Sequence, residues 1–203
     1  MKTTFLTLAT IAAVVLGIEN TTLAATKNNA AAKEISTTLN NVNNINKIEV
    51  HGNVQLFVSD GTSDQIKVYN RYYAEDALVQ NKNGVLNIAS YSSQKLVVWI
   101  TAKELQSITA YDNAEVKSFG KLSAIDLDVK LHNSASAQLN LDVYNANVTV
   151  TDHAKINLSG TATAFNLNHT VATSVNKYNL VADKYTENNK TVAATKSTEL
   201  AGL

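Results

Sequence analysis

The residues able to do acid–base or ligand chemistry are few and dispersed. Four histidines, His51, His132, His153 and His169, are available as metal ligands. No two have the i, i+4 spacing that sets imidazoles on one helical face, and they do not fall in one column of the strand pattern described below. Asp126 and Asp128 lie two apart, so they share one face of a strand. A glycosidase pair needs carboxyl groups roughly 5 to 10 Å apart in unequal surroundings, and no neighbour in the sequence supplies that inequality. With Asp142 they also offer oxygens to Ca²⁺, but a solvated strand face accounts for all three. The sole arginine, Arg71, sits beside Tyr72 and Tyr73 and reads as a surface guanidinium stacked on rings. There is no Gly-x-Ser-x-Gly elbow and no phosphate-cradling glycine loop. No catalytic, cofactor-binding or metal-binding residues are assigned, and the expected role is not enzymatic. Tyr69, Tyr72, Tyr73, Tyr91 and Tyr111 come before or at the start of the regular pattern. They either cover an irregular part of the fold or, if exposed together, stack on sugar rings.

The elements that hold these residues follow from composition and pattern. The 203 residues carry 17 basic and 17 acidic side chains, no Cys and no Pro. That length suits one domain with tails. The absence of Cys removes disulfides, thiol catalysis and Cys-ligated metals. A neutral charge with one Arg argues against nucleic acid, whose binding needs a basic surface. Asn (25) and Thr (22) are abundant.

Residues 1–25 read as a signal peptide. Lys2 supplies the positive start, Phe5 to Ile18 the apolar run, and Thr22-Leu23-Ala24-Ala25 the small residues before a cut after Ala24 or Ala25. The run is shorter than the roughly 20 residues that span a bilayer. No membrane span is expected after cleavage, and the mature protein is expected in the periplasm, at the cell surface or secreted. Residues 26–44 read as a flexible lead-in, with a short helical turn near Lys33 to Leu39. Residues 186–203 read as a C-terminal tail.

Between them runs the period-2 alternation of strands. Ile125, Leu127, Val129, Leu131, Asn133, Ala135, Ala137, Leu139, Leu141 and Val143 share one parity. The parity switches near Tyr144-Asn145 to Ala146, Val148, Val150, Asp152, Ala154, Ile156 and Leu158. It switches again after Ser159-Gly160 to Phe165, Leu167, His169 and Val171. Earlier passes are Ile48 to Val58 and Ile108 to Val116. Each pass carries one anomalous residue at an inward position: Gly52, Asp112, Asn133, Asp152 or His169. A buried polar side chain on every strand would be costly without partners. A corner at that point turns it outward, and these residue types tolerate left-handed backbone best. The flanking Tyr111, Asn113, His132, Ser134, Thr151 and His153 are then expected to face solvent. Recurring corners about 20 residues apart predict a solenoid of stacked coils. The alternative is an antiparallel β-sandwich, which has no reason to repeat one corner. Gln65 to Ile100 reads as an irregular N-terminal cap, with a helical turn over Ala74 to Val79 and a tight turn over Asn81 to Gly84.

These residues resemble the head GIN domain family of auto-transporter adhesins over about residues 45–185. The similar pieces are Ile48-Glu49-Val50-His51-Gly52-Asn53-Val54, Val58-Ser59-Asp60-Gly61, Gly84-Val85-Leu86-Asn87-Ile88, and Leu96 to Ile100 followed by Leu105-Gln106-Ser107-Ile108. Where that family repeats Ser-Gly-Ser-Gly, this chain has Tyr111-Asp112-Asn113-Ala114, His132-Asn133-Ser134-Ala135 and Thr151-Asp152-His153-Ala154. The spacing is kept, while Asp or Asn replaces the first Gly and Ala the second. The resemblance implies an all-β, right-handed parallel β-helix with no recognised catalytic set and a role in adhesion. The expected partners are a surface glycan or an envelope protein, with no cofactor. The alternative is a carbohydrate-active enzyme on the same β-helix.

Overall fold

The computed structural model describes residues 36–39, 42, 44–69, 77–171 and 174–189. All belong to one unit spanning residues 34–203. The strands are β1 (Ser36–Leu39), β2 (Lys47–Gly52), β3 (Val54–Asp60), β4 (Gln65–Tyr69), β5 (Ala77–Lys82), β6 (Val85–Ser90), β7 (Leu96–Ala102), β8 (Ser107–Ala110), β9 (Glu115–Ser118), β10 (Leu122–Leu131), β11 (Ser136–Val150), β12 (Lys155–His169) and β13 (Val175–Asn189). The unit is all-β, and no α-helix occurs among the described residues. The strands form one mixed sheet.

Successive passes lie side by side and parallel. β10 pairs β11, β11 pairs β12 and β12 pairs β13, with partners such as Leu131, Val150 and His169 set 19 residues apart. β8–β9 and β2–β3 join the same stack, also parallel. Neighbouring passes of an antiparallel sandwich would run in opposite directions. Among the described residues the antiparallel pairings are β1 with β4, β4 with β7, and β5 with β6. These lie beyond β6 and β7, where they occupy backbone edges that parallel passes would otherwise leave open.

The core is the column of inward side chains from each pass. Ile48, Val50, Ile108, Val129, Leu131, Val148, Val150 and Leu167 are buried along one wall, and Leu56, Val98, Val116 and Leu139 along another. Alternation puts one face of each strand inside because successive side chains point to opposite faces. Where the wall bends, two consecutive residues point out. Ala124 and Leu127 flank Ile125-Asp126, Val143 and Ala146 flank Tyr144-Asn145, and Ala162 and Phe165 flank Thr163-Ala164.

The first corner is a tight turn that recurs. In each of three passes the N–H of Ala114, Ala135 or Ala154 donates to the carbonyl of Tyr111, His132 or Thr151 at 3.1 Å. Asp112, Asn133 and Asp152 have φ of 58–59°, and Gly52 has φ 81°. Left-handed backbone crowds Cβ against the next carbonyl, and short polar side chains offset that by bonding locally. The alanines beyond each turn are fully buried, where a larger side chain would push the corner open.

Five expectations are corrected. Ser36–Leu39 is a strand on β4, and Ala77–Lys82 is a strand on β6, so neither forms a helical turn; residues 33–35 and 74–76 lie outside the described residues. The β5–β6 turn does fall where expected, with Asn83 (φ 53°) and Gly84 (φ 81°) both left-handed as a two-residue hairpin needs. Ile125 is exposed, because the wall bends there one pass earlier than the parity suggested. The later switch falls at Thr163-Ala164 rather than after Gly160. His169 is no corner residue. It pairs with Val150, points inward and is buried, while Ser174 N–H donates to Val171 O at 3.1 Å further along the chain.

Candidate functional site

Two arrays of side chains stand on the outer surface. The first follows the corner. His51 stacks on Tyr111 with ring centroids 4.4 Å apart, and Tyr111 on His132 at 4.9 Å. His132 Nδ1 lies 2.9 Å from Thr151 Oγ1. These residues precede their corner residues by one, so the strand register stacks them as a column. The sequence reading kept the histidines out of any column. It missed this one because a tyrosine sits between two of them. Tyr111, His132 and Thr151 are half-buried by that stacking, whereas Asn113, Ser134 and His153 are exposed. Beside the column runs a ladder of corner side chains. Asp112 Oδ2 accepts from Gly52 N–H at 3.1 Å, Asn133 Oδ1 from Asp112 N–H at 3.3 Å, and Asp152 Oδ2 from Asn133 N–H at 2.9 Å. The Asn133 N–H holds the Asp152 carboxyl below the usual carboxylate range. Tyr91, exposed, reaches Asp112 with its hydroxyl.

The second array lies on the outer face of β4, β7, β3 and β9. Inward alternation of Leu56, Val58, Val98 and Ile100 leaves Phe57 and Trp99 pointing out. They are direct cross-strand partners, with centroids 4.6 Å apart and planes 23° apart. Tyr69 meets Trp99 edge-on at 6.4 Å, and Phe119, exposed, tilts against it at 5.3 Å. The cross-strand row reads Lys67, Trp99, Phe57, Lys117. The row beside it reads Tyr69, Val97, Gln55, Glu115. Glu115 bonds Lys95, accepts from Gln55 Nε2 at 3.1 Å and lies 3.7 Å from Lys117 Nζ. Lys95 is the main reason its carboxyl titrates below the usual range. The arrangement is a stack of rings standing on the sheet, Trp99 face to face with Phe57, which turns its ring rims outward with cations at either end. Of its residues the sequence reading singled out only Tyr69. The available signal was Leu96 to Ile100, apolar on both faces, which leaves Val97 and Trp99 outside.

The other candidates are kept apart. Asp126 accepts from Asn145 Nδ2 at 2.8 Å, and Asp128 pairs with Lys130 at 2.5 Å. Asp142 is in register with Ser123 and Thr161, not with either of them. Among the described residues no three His, Asp or Glu side chains group as a metal site would need. His169 Nε2 bonds Glu187 at 2.7 Å. Arg71, Tyr72 and Tyr73 lie outside the described residues. An open groove of about 590 Å³ runs between the β7–β8 connection and the start of β10, lined by Leu105, Ala124 and Ile125 with Lys103, Glu104 and Asp126. Its charges are mixed and it has no ring surface.

Comparison with known proteins bears on the fold and the family. No curated protein matches the chain. A crystal structure of a "putative adhesin" from Bacteroides fragilis is similar over 77% of this chain and 76% of that one, with TM-score 0.67 and 19% identity. A "putative adhesin" from Parabacteroides distasonis gives 0.57 and 16%, over 76% of this chain and 77% of that one. A "putative lipid binding protein" from the same organism gives 0.60 and 10%, over 78% and 79%. At these identities the likeness establishes the fold alone: an all-β, curled mixed sheet. The sequence profile of one family, "Putative auto-transporter adhesin, head GIN domain", matches residues 44–197, and the chain belongs to that family.

Proposed function

We propose that the chain is an exported, non-enzymatic protein that works by presenting a rigid outer surface to a glycan or an envelope protein, in adhesion or envelope interaction. The observation that carries this reading is the outward Trp99–Phe57 pair with Tyr69 and Phe119 around it. Rings that could have been buried instead form a surface on rigid strands, and such surfaces serve recognition. Sugar rings offer C–H faces that pack along the outward rims of such a ring stack. The polar ladders, such as Asn166 Nδ2 to Asn147 Oδ1 at 3.0 Å, add many weak bonding groups at a fixed spacing.

The same reading takes the stacked passes as a right-handed parallel β-helix. Crossovers between parallel strands of one sheet are right-handed in about 98% of cases. It also takes residues 1–25 as a cleaved signal peptide, to be tested by the mass of the mature N-terminus in the native host.

The decisive experiment is a binding screen of purified protein against neutral and acidic glycans, with attachment scored in a deletion strain. Retained binding and lost attachment support adhesion. Turnover of any polysaccharide, abolished by removing one outer carboxylate, would replace this reading with a carbohydrate-active enzyme.

A further inference from the structure

The geometry points to an acidic oligosaccharide as the ligand of the Trp99–Phe57 platform, an inference that rests on the glycan reading above. The platform does not share the neutral charge of the chain. Lys67 and Lys117 stand at the two ends of the row whose middle is Trp99 and Phe57. Lys95 joins from the adjoining segment through Glu115. Among the described residues three ammonium groups thus meet one carboxylate, while the whole chain balances 17 basic against 17 acidic residues. The one carboxylate already has Lys95 bonded to it, so its demand on Lys117, 3.7 Å away, is small.

Spacing fits the same ligand. Lys67 and Lys117 are three strand steps apart, roughly 14 Å at about 4.8 Å per step. A short oligosaccharide lying along the row would rest its C–H faces on the outer rims of the stacked Trp99 and Phe57 rings and bring a carboxylate to each end. An ammonium is a compact charge on a flexible stem, so it can follow carboxylates whose positions vary from sugar to sugar. A neutral glycan would use the rings and leave the lysines idle. Screening follows from exposure: Lys95 and Lys117 are 39% and 40% exposed, so their attraction must weaken with salt.

Trp99 is the only tryptophan in the chain, which makes its fluorescence a reporter on the platform itself. The test titrates the full-length mature protein with oligogalacturonate and with the same oligosaccharide methyl-esterified, which keeps the rings and removes the charge. The expected result is a Trp99 emission change with the acid, at least tenfold weaker binding of the ester, and at least tenfold loss between 50 and 500 mM NaCl. Lys67→Gln with Lys117→Gln should abolish the preference for the acid, whereas Lys47→Gln, on β2 and off the platform, should not. Both platform lysines are on the surface, and unchanged circular dichroism would confirm the fold. Equal binding of acid and ester overturns the charge inference and leaves the glycan reading standing. Binding of neither, with a neutral glycan found in the wider screen, overturns only the inference. Silence in both overturns the two together.

Discussion

Asp152 Oδ2 accepts a hydrogen bond from the backbone N–H of Asn133, 2.9 Å away and one pass back in the stack. The bond joins two corners whose backbones are both left-handed, and the same link runs from Asn133 to Asp112 and from Asp112 to Gly52. Each corner side chain therefore tolerates its own unfavourable backbone and satisfies a donor of its neighbour. At this bend the side-chain links add to main-chain bonds that continue from pass to pass, Ser134 N–H to Asp112 O at 2.9 Å and His153 N–H to Asn133 O at 2.8 Å.

That double role separates two substitutions. Asp152→Ala removes the acceptor and puts a Cβ with no polar partner in the left-handed region, which should cost about 2 kcal/mol. Asp152→Gly removes the acceptor but frees the backbone, and should cost about 1 kcal/mol. Urea midpoints at unchanged m-value give the ranking, and equal losses would show that the backbone contributes nothing.

Two glycines make a sharper contrast. Both Gly120 (φ 83°) and Gly160 (φ 99°) are left-handed. A Cβ on Gly120 meets nothing within 4 Å, whereas on Gly160 it would lie 2.0 Å from Leu141 O in the adjacent strand. Gly120→Ala should cost about 1 kcal/mol, the backbone penalty alone. Gly160→Ala must separate β11 from β12 and should leave little folded protein at 37 °C. Similar melting temperatures for the two variants would contradict this account.

The corners were legible in the sequence because Gly52, Asp112, Asn133 and Asp152 are the types that accept positive φ, and the last three recur 21 and 19 residues apart. Their agreement in structure shows that a local backbone preference was enough. His169 was misread because parity cannot distinguish a polar residue turned out at a corner from one buried and bonded. What decides its fate is Glu187, 18 residues on and in the next strand. Strand β1 was misread for a similar reason: Ser36–Leu39 has little pattern of its own and takes its conformation from β4. The ring platform was hidden inside Leu96 to Ile100. A run apolar on both faces reads as one buried strand until the register shows that Val97 and Trp99 are outside. Residue type and spacing therefore revealed what the chain does locally, and missed what depends on a neighbour in another pass.

His169 offers a test of that dependence. It continues the inward column of Leu131 and Val150, its side chain is buried, and its Nδ1 has no hydrogen-bond partner among the described residues. His169→Leu fills similar space with no orphan atom, and Glu187 keeps Lys177 at 2.5 Å. Stability should hold within about 1 kcal/mol or rise. His169→Ala leaves a cavity and should cost about 2–3 kcal/mol. A Leu variant as damaged as the Ala variant would show that the His169–Glu187 bond, not the packing, holds this end.

Acid should act on the same cluster. Hydrogen bonds from Lys177, then Tyr185, then His169 hold the Glu187 carboxyl down to about 2, against an ordinary 4.5. The folded protein therefore favours the ionised form, and the unfolded chain takes up its proton at higher pH. By linkage, the stabilisation is fully present above about pH 4.5 and is lost as pH falls from there through about 2. Asp152 and Glu115, also depressed, act in the same direction. Glu187→Gln removes the titrating group, so its urea midpoint should fall less steeply than that of the parent between pH 5 and 2. The two curves should lie furthest apart at neutral pH and converge in acid. Parallel curves across that range would mean that Glu187 has the same proton affinity folded and unfolded, and that its three hydrogen bonds do not favour the charged form.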